Sequence, residues 1–257
     1  MLLAVDVGNT QTHLGLLSAG EVVGDWRIAT VLHRTGDEIA GLLQGFLTLH
    51  GLAVREAIDE VGIASVVPHL TRQWIELCAK HLHLEAFVVG PGIRTGMRIA
   101  IKNPAEVGAD RIVNSVAAFE RYGGPCIVAD YGTASTFDVV SEEGDYVGGI
   151  IAPGIEVSLD ALTSRAAKLV KFDLVPPAHV VGKSTTEALQ AGAVYGFAGQ
   201  TDGIVRAIRD ELGVQVQVVA TGGLAGMIAR YATVIDAVDP FLTLRGIEIV
   251  MRRQAPA

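Results

Sequence analysis

"LLAVDVGNTQTHLGLL", residues 2–17, sets a carboxylate, Asp6, at the end of a buried-looking apolar run. Gly8, Asn9, Thr10 and Thr12 follow at once, and then the apolar alternation resumes. A charge so placed is costly unless something pairs with it. The stretch reads as a strand of about Leu2 to Val7 that continues into a hairpin, "THLGLLSAGEVVGDWRI" (12–28), with Ala19-Gly20 as its turn. The same pattern returns at "CIVADYGTASTFDVVSEEGDYVGGI" (126–150). An offset of 124 sets Asp6 on Asp130, Gly8 on Gly132, Thr12 on Thr136, Gly20 on Gly144 and Gly24 on Gly148. A repeat of about half the chain indicates a duplicated domain, not a solenoid.

Between the repeats the pattern is α/β. Apolar spacing predicts helices over 36–51, 69–82 and 106–122, with strands at "VGIASVV" (61–67) and "EAFVVG" (85–90). In the second half "VQVVATGGLAGMIARY" (216–231) supplies a strand, a glycine turn and a helix, and further helices are predicted at 155–166, 184–211 and 242–253. The expected domains are 1–112 and 113–257. Two hairpins bearing Asp-x-Gly-(small polar) predict a cleft between the halves, with both carboxylates turned to one ligand. There a metal-bound phosphate would justify Asp6, with glycine admitting backbone N–H groups and the hydroxyls adding donors. The competing reading makes Asp6 and Asp130 turn caps; their repetition favours function.

Composition narrows the classes. The 257 residues are 50% hydrophobic, enough for two domains with real cores. A net charge of −8 argues against nucleic acid or an anionic membrane as the main partner. Cys78 and Cys126, both in apolar surroundings, read as core thiols of a cytoplasmic protein. No signal peptide or membrane span is apparent. "GKST" (182–185) is not a P-loop, because Pro177 stands where that motif needs glycine. "GPGIRTG" (90–96) lacks the glycine spacing and the following helix of a dinucleotide site, and the seven histidines show no ligand spacing.

Taken together, "DVGNTQT", "NPAEVGADRI", "DYGTASTFD", "GGIIAPG", "GKST" and "ATGG" resemble, in order and over nearly the whole chain, type III pantothenate kinase. That family belongs to the acetate and sugar kinase, heat-shock ATPase and actin superfamily. The resemblance implies duplicated ribonuclease H-like (actin-like ATPase) domains with mixed sheets. It implies phosphorylation of pantothenate by ATP, the first committed step toward coenzyme A, in a cytoplasmic homodimer. It places ATP phosphates and magnesium on Asp6, Val7, Gly8, Asn9, Thr10, Gln11, Thr12 and His13, and ATP also on Thr133. It makes Asp110 the general base. It puts Gly108, Ala109, Asp110, Arg111 and Thr185 on pantothenate, and a monovalent cation (K+ or NH4+) on Asp130. These residue types suit the chemistry: phosphoryl transfer needs positioning, charge neutralisation and a carboxylate for the hydroxyl proton, and Arg111 has the planar fork that grips a carboxylate. The competing readings are a helix N-cap for Asp110 and for Thr185, and a solvated surface charge for Arg111. Ile101 and Lys102 depart from the family, many of whose members carry tyrosine at the first position. The alternative function is a nucleotide-binding relative with a regulatory role, similar to Bvg accessory factor.

Overall fold

The computed structural model describes residues 1–53, 57–166 and 172–254. The chain forms two units: Met1–Ala117 with Phe241–Ala257, and Ala118–Pro240. The sequence reading set one boundary at 112/113; here the last segment groups with the first unit. Residues 255–257, the end of the second expected domain, lie outside the described residues.

The first unit is built on β1 (Leu2–Val7), β2 (Gln11–Ser18), β3 (Glu21–Ala29), β4 (Glu60–Ser65) and β5 (Ala86–Val89), in the sheet order β3-β2-β1-β4-β5. The hairpin pairs are antiparallel and β1-β4-β5 run parallel, so the sheet is mixed. Leu3, Val5 and Val7 alternate onto one face and bury there against Ile39, Leu43 and Leu47 of α1 (Gly36–Leu49) and Leu70, Trp74 and Leu77 of α2 (Pro68–Leu77). Pro68 does not merely end a strand; it opens α2, where its missing N–H costs nothing.

Helix α1 starts in a capping box. Thr35 Oγ1 accepts from the Glu38 amide, and the Glu38 carboxylate accepts from the Thr35 amide at 2.7 Å. Thr35→Ala is expected to cost about 1 kcal/mol; a urea midpoint unchanged from wild type would remove the cap from the account.

The second unit repeats the topology. Its strands are β6 (Cys126–Tyr131), β7 (Ala134–Val140), β8 (Tyr146–Pro153), β9 (Gln217–Thr221) and β10 (Ala237–Val238), in the order β10-β9-β6-β7-β8. The offset of 124 carries β1 onto β6 end to end. Helix α3 (Ala109–Tyr122) runs from the first unit into the second. Helices α4 (Ile155–Arg165), α5 (Thr185–Leu212) and α6 (Ala225–Ile228) complete the second unit, whose core gathers Ile127, Ala129, Tyr131 and Phe137 with Val205 and Ile208 of α5.

Helix α7 (Leu242–Arg252) returns to the first unit and covers the sheet face opposite α1 and α2. Glycines permit this approach: a Cβ on Gly15 would meet Leu244 at 2.5 Å, and one on Gly62 would meet Ile247 at 2.6 Å. Both cysteines are buried, and burial pushes the Cys78 thiol up to about 11 and Cys126 up to about 12. Among the described residues no helix is long and apolar enough to cross a membrane.

Candidate active site

In the first unit the polar residues of the opening stretch sit at the carboxyl end of β1, where ligands of open α/β sheets gather. Asp6 is half-buried and lies across from His13 in the β1–β2 register. The turn between them is held from below. The Gly8 amide donates to the Gln11 carbonyl at 3.1 Å, and the Thr30 hydroxyl donates to the Gly8 carbonyl at 2.8 Å. Buried Thr12 meets the same Thr30 hydroxyl at 3.0 Å, while Asn9, Thr10 and Gln11 are exposed at the tip. The turn is thus fixed by its carbonyls and presents its small polar residues outward. His13 bonds Asp25 at 2.9 Å, with Arg27 on the same carboxylate; burial is the main cause that lowers the His13 pKa, so the ring is neutral at pH 7.

The GADR segment reaches the same end of this sheet. The Val66 amide donates to the Val7 carbonyl at 3.1 Å, and a Cβ on Gly108 would meet Val66 at 3.3 Å. That Cβ would also stand 2.4 Å from Asp110 Oδ1, so only glycine lets the carboxylate fold back over the chain here. Asp110 is not the N-cap. Helix α3 begins at Ala109, the Gly108 carbonyl accepts from the Ile112 amide, and Asp110 lies inside the first turn. Its Oδ1 accepts from the Arg111 amide at 2.8 Å. Burial raises the Asp110 pKa despite that bond and the Arg111 charge, making this a proton-seeking carboxylate. Arg111 is half-buried, not a solvated surface charge. Ile101 is half-buried and Lys102 exposed in the segment that leads to this helix.

The second unit builds the related arrangement with one change. Asp130 is half-buried and faces Thr136, because the turn at Gly132-Thr133 is one residue shorter than that at Gly8–Thr10. Thr136 therefore stands where His13 does, not where Thr12 does, as the sequence alignment had it. The offset is restored at Gly20 and Gly144, both turn glycines of positive φ. Gly132 and Thr133 are exposed, and the Gly154 amide ties to the Thr133 carbonyl at 3.2 Å. Behind Asp130 lies Gly222 of "ATGG", at φ +91; a Cβ there would meet Asp130 Oδ1 at 2.5 Å and the Tyr131 backbone at 2.7 Å. A carboxylate set against bare backbone in this way fits a cation. Thr185 is the first residue of α5 and is exposed; the cap is Ser184, whose hydroxyl accepts from the Glu187 amide at 3.2 Å. Gly222 and Gly154 escaped the sequence reading as site residues, although their segments were noted; only the fold shows which carboxylate or carbonyl each glycine makes room for.

The structure therefore brings Asp6–His13 and Gly108–Arg111 to one end of the first sheet, and Asp130 and Thr133 to the matching end of the second. A family model of type III pantothenate kinase matches residues 2–207. The chain belongs to the type III pantothenate kinase family. A type III pantothenate kinase of Moorella thermoacetica is 51% identical over 253 residues, covering 98% of this chain and 99% of that protein. One of Acidothermus cellulolyticus is 49% identical over 258 residues and covers both chains fully. Among solved structures, a Baf family putative transcriptional activator from Campylobacter jejuni superposes with a TM-score of 0.58 at 20% identity, over 98% of each chain. A putative 2-dehydro-3-deoxygalactonokinase from Sinorhizobium meliloti gives 0.58 at 15% identity, over 100% of this chain and 98% of the other. At such identities the structures bear on fold alone, and they agree with the sugar-kinase and actin-like architecture that this type III pantothenate kinase family shares.

Proposed function

We propose that this chain phosphorylates pantothenate with ATP, yielding 4'-phosphopantothenate and ADP at the head of coenzyme A synthesis. The observation that carries the reading, within a chain of this family, is the half-buried, proton-seeking carboxylate of Asp110, folded over Gly108 at the start of α3. In the reaction the primary hydroxyl oxygen of pantothenate bonds to the γ-phosphorus. The bond from that phosphorus to the bridging oxygen of ADP breaks, and Asp110 takes the hydroxyl proton. A carboxylate of raised pKa is the better base for this step. Arg111 pairs with the pantothenate carboxylate, Gly108 and Ala109 give close backbone approach, and Thr185 contacts the substrate.

The exposed tip from Asn9 to Gln11, with Val7, Gly8, Thr12 and His13, receives the ATP phosphates, and Thr133 contacts the nucleotide. Asp6 is the acidic group toward the magnesium–phosphate complex; magnesium supplies charge neutralisation on the phosphates when bound. Asp130, in its Gly222 cradle, holds a monovalent cation, K+ or NH4+. The protein acts as a cytoplasmic homodimer without nucleic-acid or membrane partners.

The reading is tested by pantothenate-dependent ADP release in a coupled assay. No release above the pantothenate-free rate would turn the assignment toward a nucleotide-binding regulator. The cation assignment has its own test: activity is expected to rise severalfold when potassium or ammonium replaces sodium at constant ionic strength. Full activity in sodium alone would remove the cation from Asp130.

A further inference from the structure

Asp138, the last residue of "DYGTASTFD", is a fully buried carboxylate on β7, five residues beyond Thr133 and given no part in the proposed cation and nucleotide sites. It accepts the Tyr146 hydroxyl at 2.7 Å, and Tyr146 is itself 1% exposed. It also accepts the Thr136 hydroxyl at 3.3 Å. Thr136, two residues back along the strand, shares the face of Asp138 and stands directly across from Asp130. Cross-strand partners hold their Cβ atoms about 4.5–5.5 Å apart, within reach of a common ion.

The consequence lies in one proton. A threonine hydroxyl has a single proton and two lone pairs. With the proton committed to Asp138, the oxygen presents only lone pairs on its remaining side. Beside the Asp130 carboxylate this makes two oxygen acceptors, a set suited to a hard monovalent cation. Were the proton free to turn, Thr136 would donate to Asp130 and weaken that set. The first unit carries no such device: Gly15, under Leu244, occupies the register position of Asp138, and His13 that of Thr136. The asymmetry matches the different groups assigned to Asp6 and Asp130.

We propose that Asp138, braced by Tyr146, is a positioning residue that orients the Thr136 hydroxyl and so sets the cation affinity of the Asp130 site. This rests on the reading of Asp130 as a cation ligand. Three variants test it: Asp138→Asn, whose amide would donate to Thr136 and reverse its proton, Thr136→Val, which keeps shape without the hydroxyl, and Thr136→Ser, which restores it. Binding is read by thallium-205 NMR titration with thallium(I), an ion of potassium's size and charge, in the presence of pantothenate and a non-hydrolysable ATP analogue. Thermal midpoints are recorded alongside.

Outer partners of a metal site are worth about 10–100-fold in affinity. That loss is expected in Asp138→Asn and Thr136→Val, with Thr136→Ser within about threefold of wild type; combining Asp138→Asn with Thr136→Val is expected to be no worse than Thr136→Val alone. Thallium affinity unchanged in Thr136→Val, or unchanged in Asp138→Asn, would overturn the proposal while leaving the Asp130 assignment standing. Wild type that binds no thallium would overturn both. Should Asp138→Asn fail to fold, the valine and serine variants decide.

Discussion

Asp110→Asn is expected to lower kcat by about 10²–10⁴-fold, the range of a lost general base. The thermal midpoint should hold or rise slightly, because the substitution keeps size and the bond from the Arg111 amide while it removes a half-buried charge. The pH profile supplies a second check. Activity needs the deprotonated carboxylate, and burial raises its pKa, so the acid limb of wild-type kcat/KM is expected above the ordinary aspartate range and absent from the residual activity of the variant. Turnover within about threefold of wild type would exclude Asp110 as the base, since it falls far below that range.

The second large effect is expected at Gly246, on the face of α7 that meets α3. A Cβ there would lie 2.1 Å from the Val113 carbonyl oxygen and 2.6 Å from its carbon. These are backbone atoms of a helix and cannot swing aside. Gly246→Ala must push α7 and α3 apart, and overpacking of this kind costs about 1–3 kcal/mol, the upper end being expected where the clash is with backbone. Because Asp110 rides on the first turn of α3, kcat/KM is expected to fall as well. A urea midpoint and an activity both matching wild type would show that the two helices can give way.

Much of this was legible in the chain. The offset of 124 named both hairpins because repeated sequence folds to repeated structure, and β1 and β6 match end to end. Helices with strong apolar spacing, such as 36–49 and 242–252, lay within two residues of their expected ends. What stayed hidden depends on contacts distant in sequence or on single-residue register. A turn shortened by one residue moved Thr136 opposite Asp130 without disturbing the apolar alternation. The caps at Ser184 and Gly108 fall one and two residues before Thr185 and Asp110, where the competing reading put them, a difference that hydrogen-bond geometry decides and composition does not. The charge of Asp138 inside "STFDVV" was visible, but its burial was not, because the alternation alone leaves open which face is covered.

The return of α7 to the first unit also orders events on the ribosome. Residues 1–117 of the first unit are made before the inserted unit, yet the helix that covers their second sheet face, residues 242–252, is made after it. Residues 118–240 leave the exit tunnel as a finished set of strands and helices while Gly15 and Gly62 still lack Leu244 and Ile247 above them. The inserted unit can mature first, and the opening unit must wait for residues 242–252 before its second face is closed. A nascent chain arrested before residue 242 would therefore display the apolar faces of β1 and β4 to chaperones, and a chain truncated there would carry that exposure permanently.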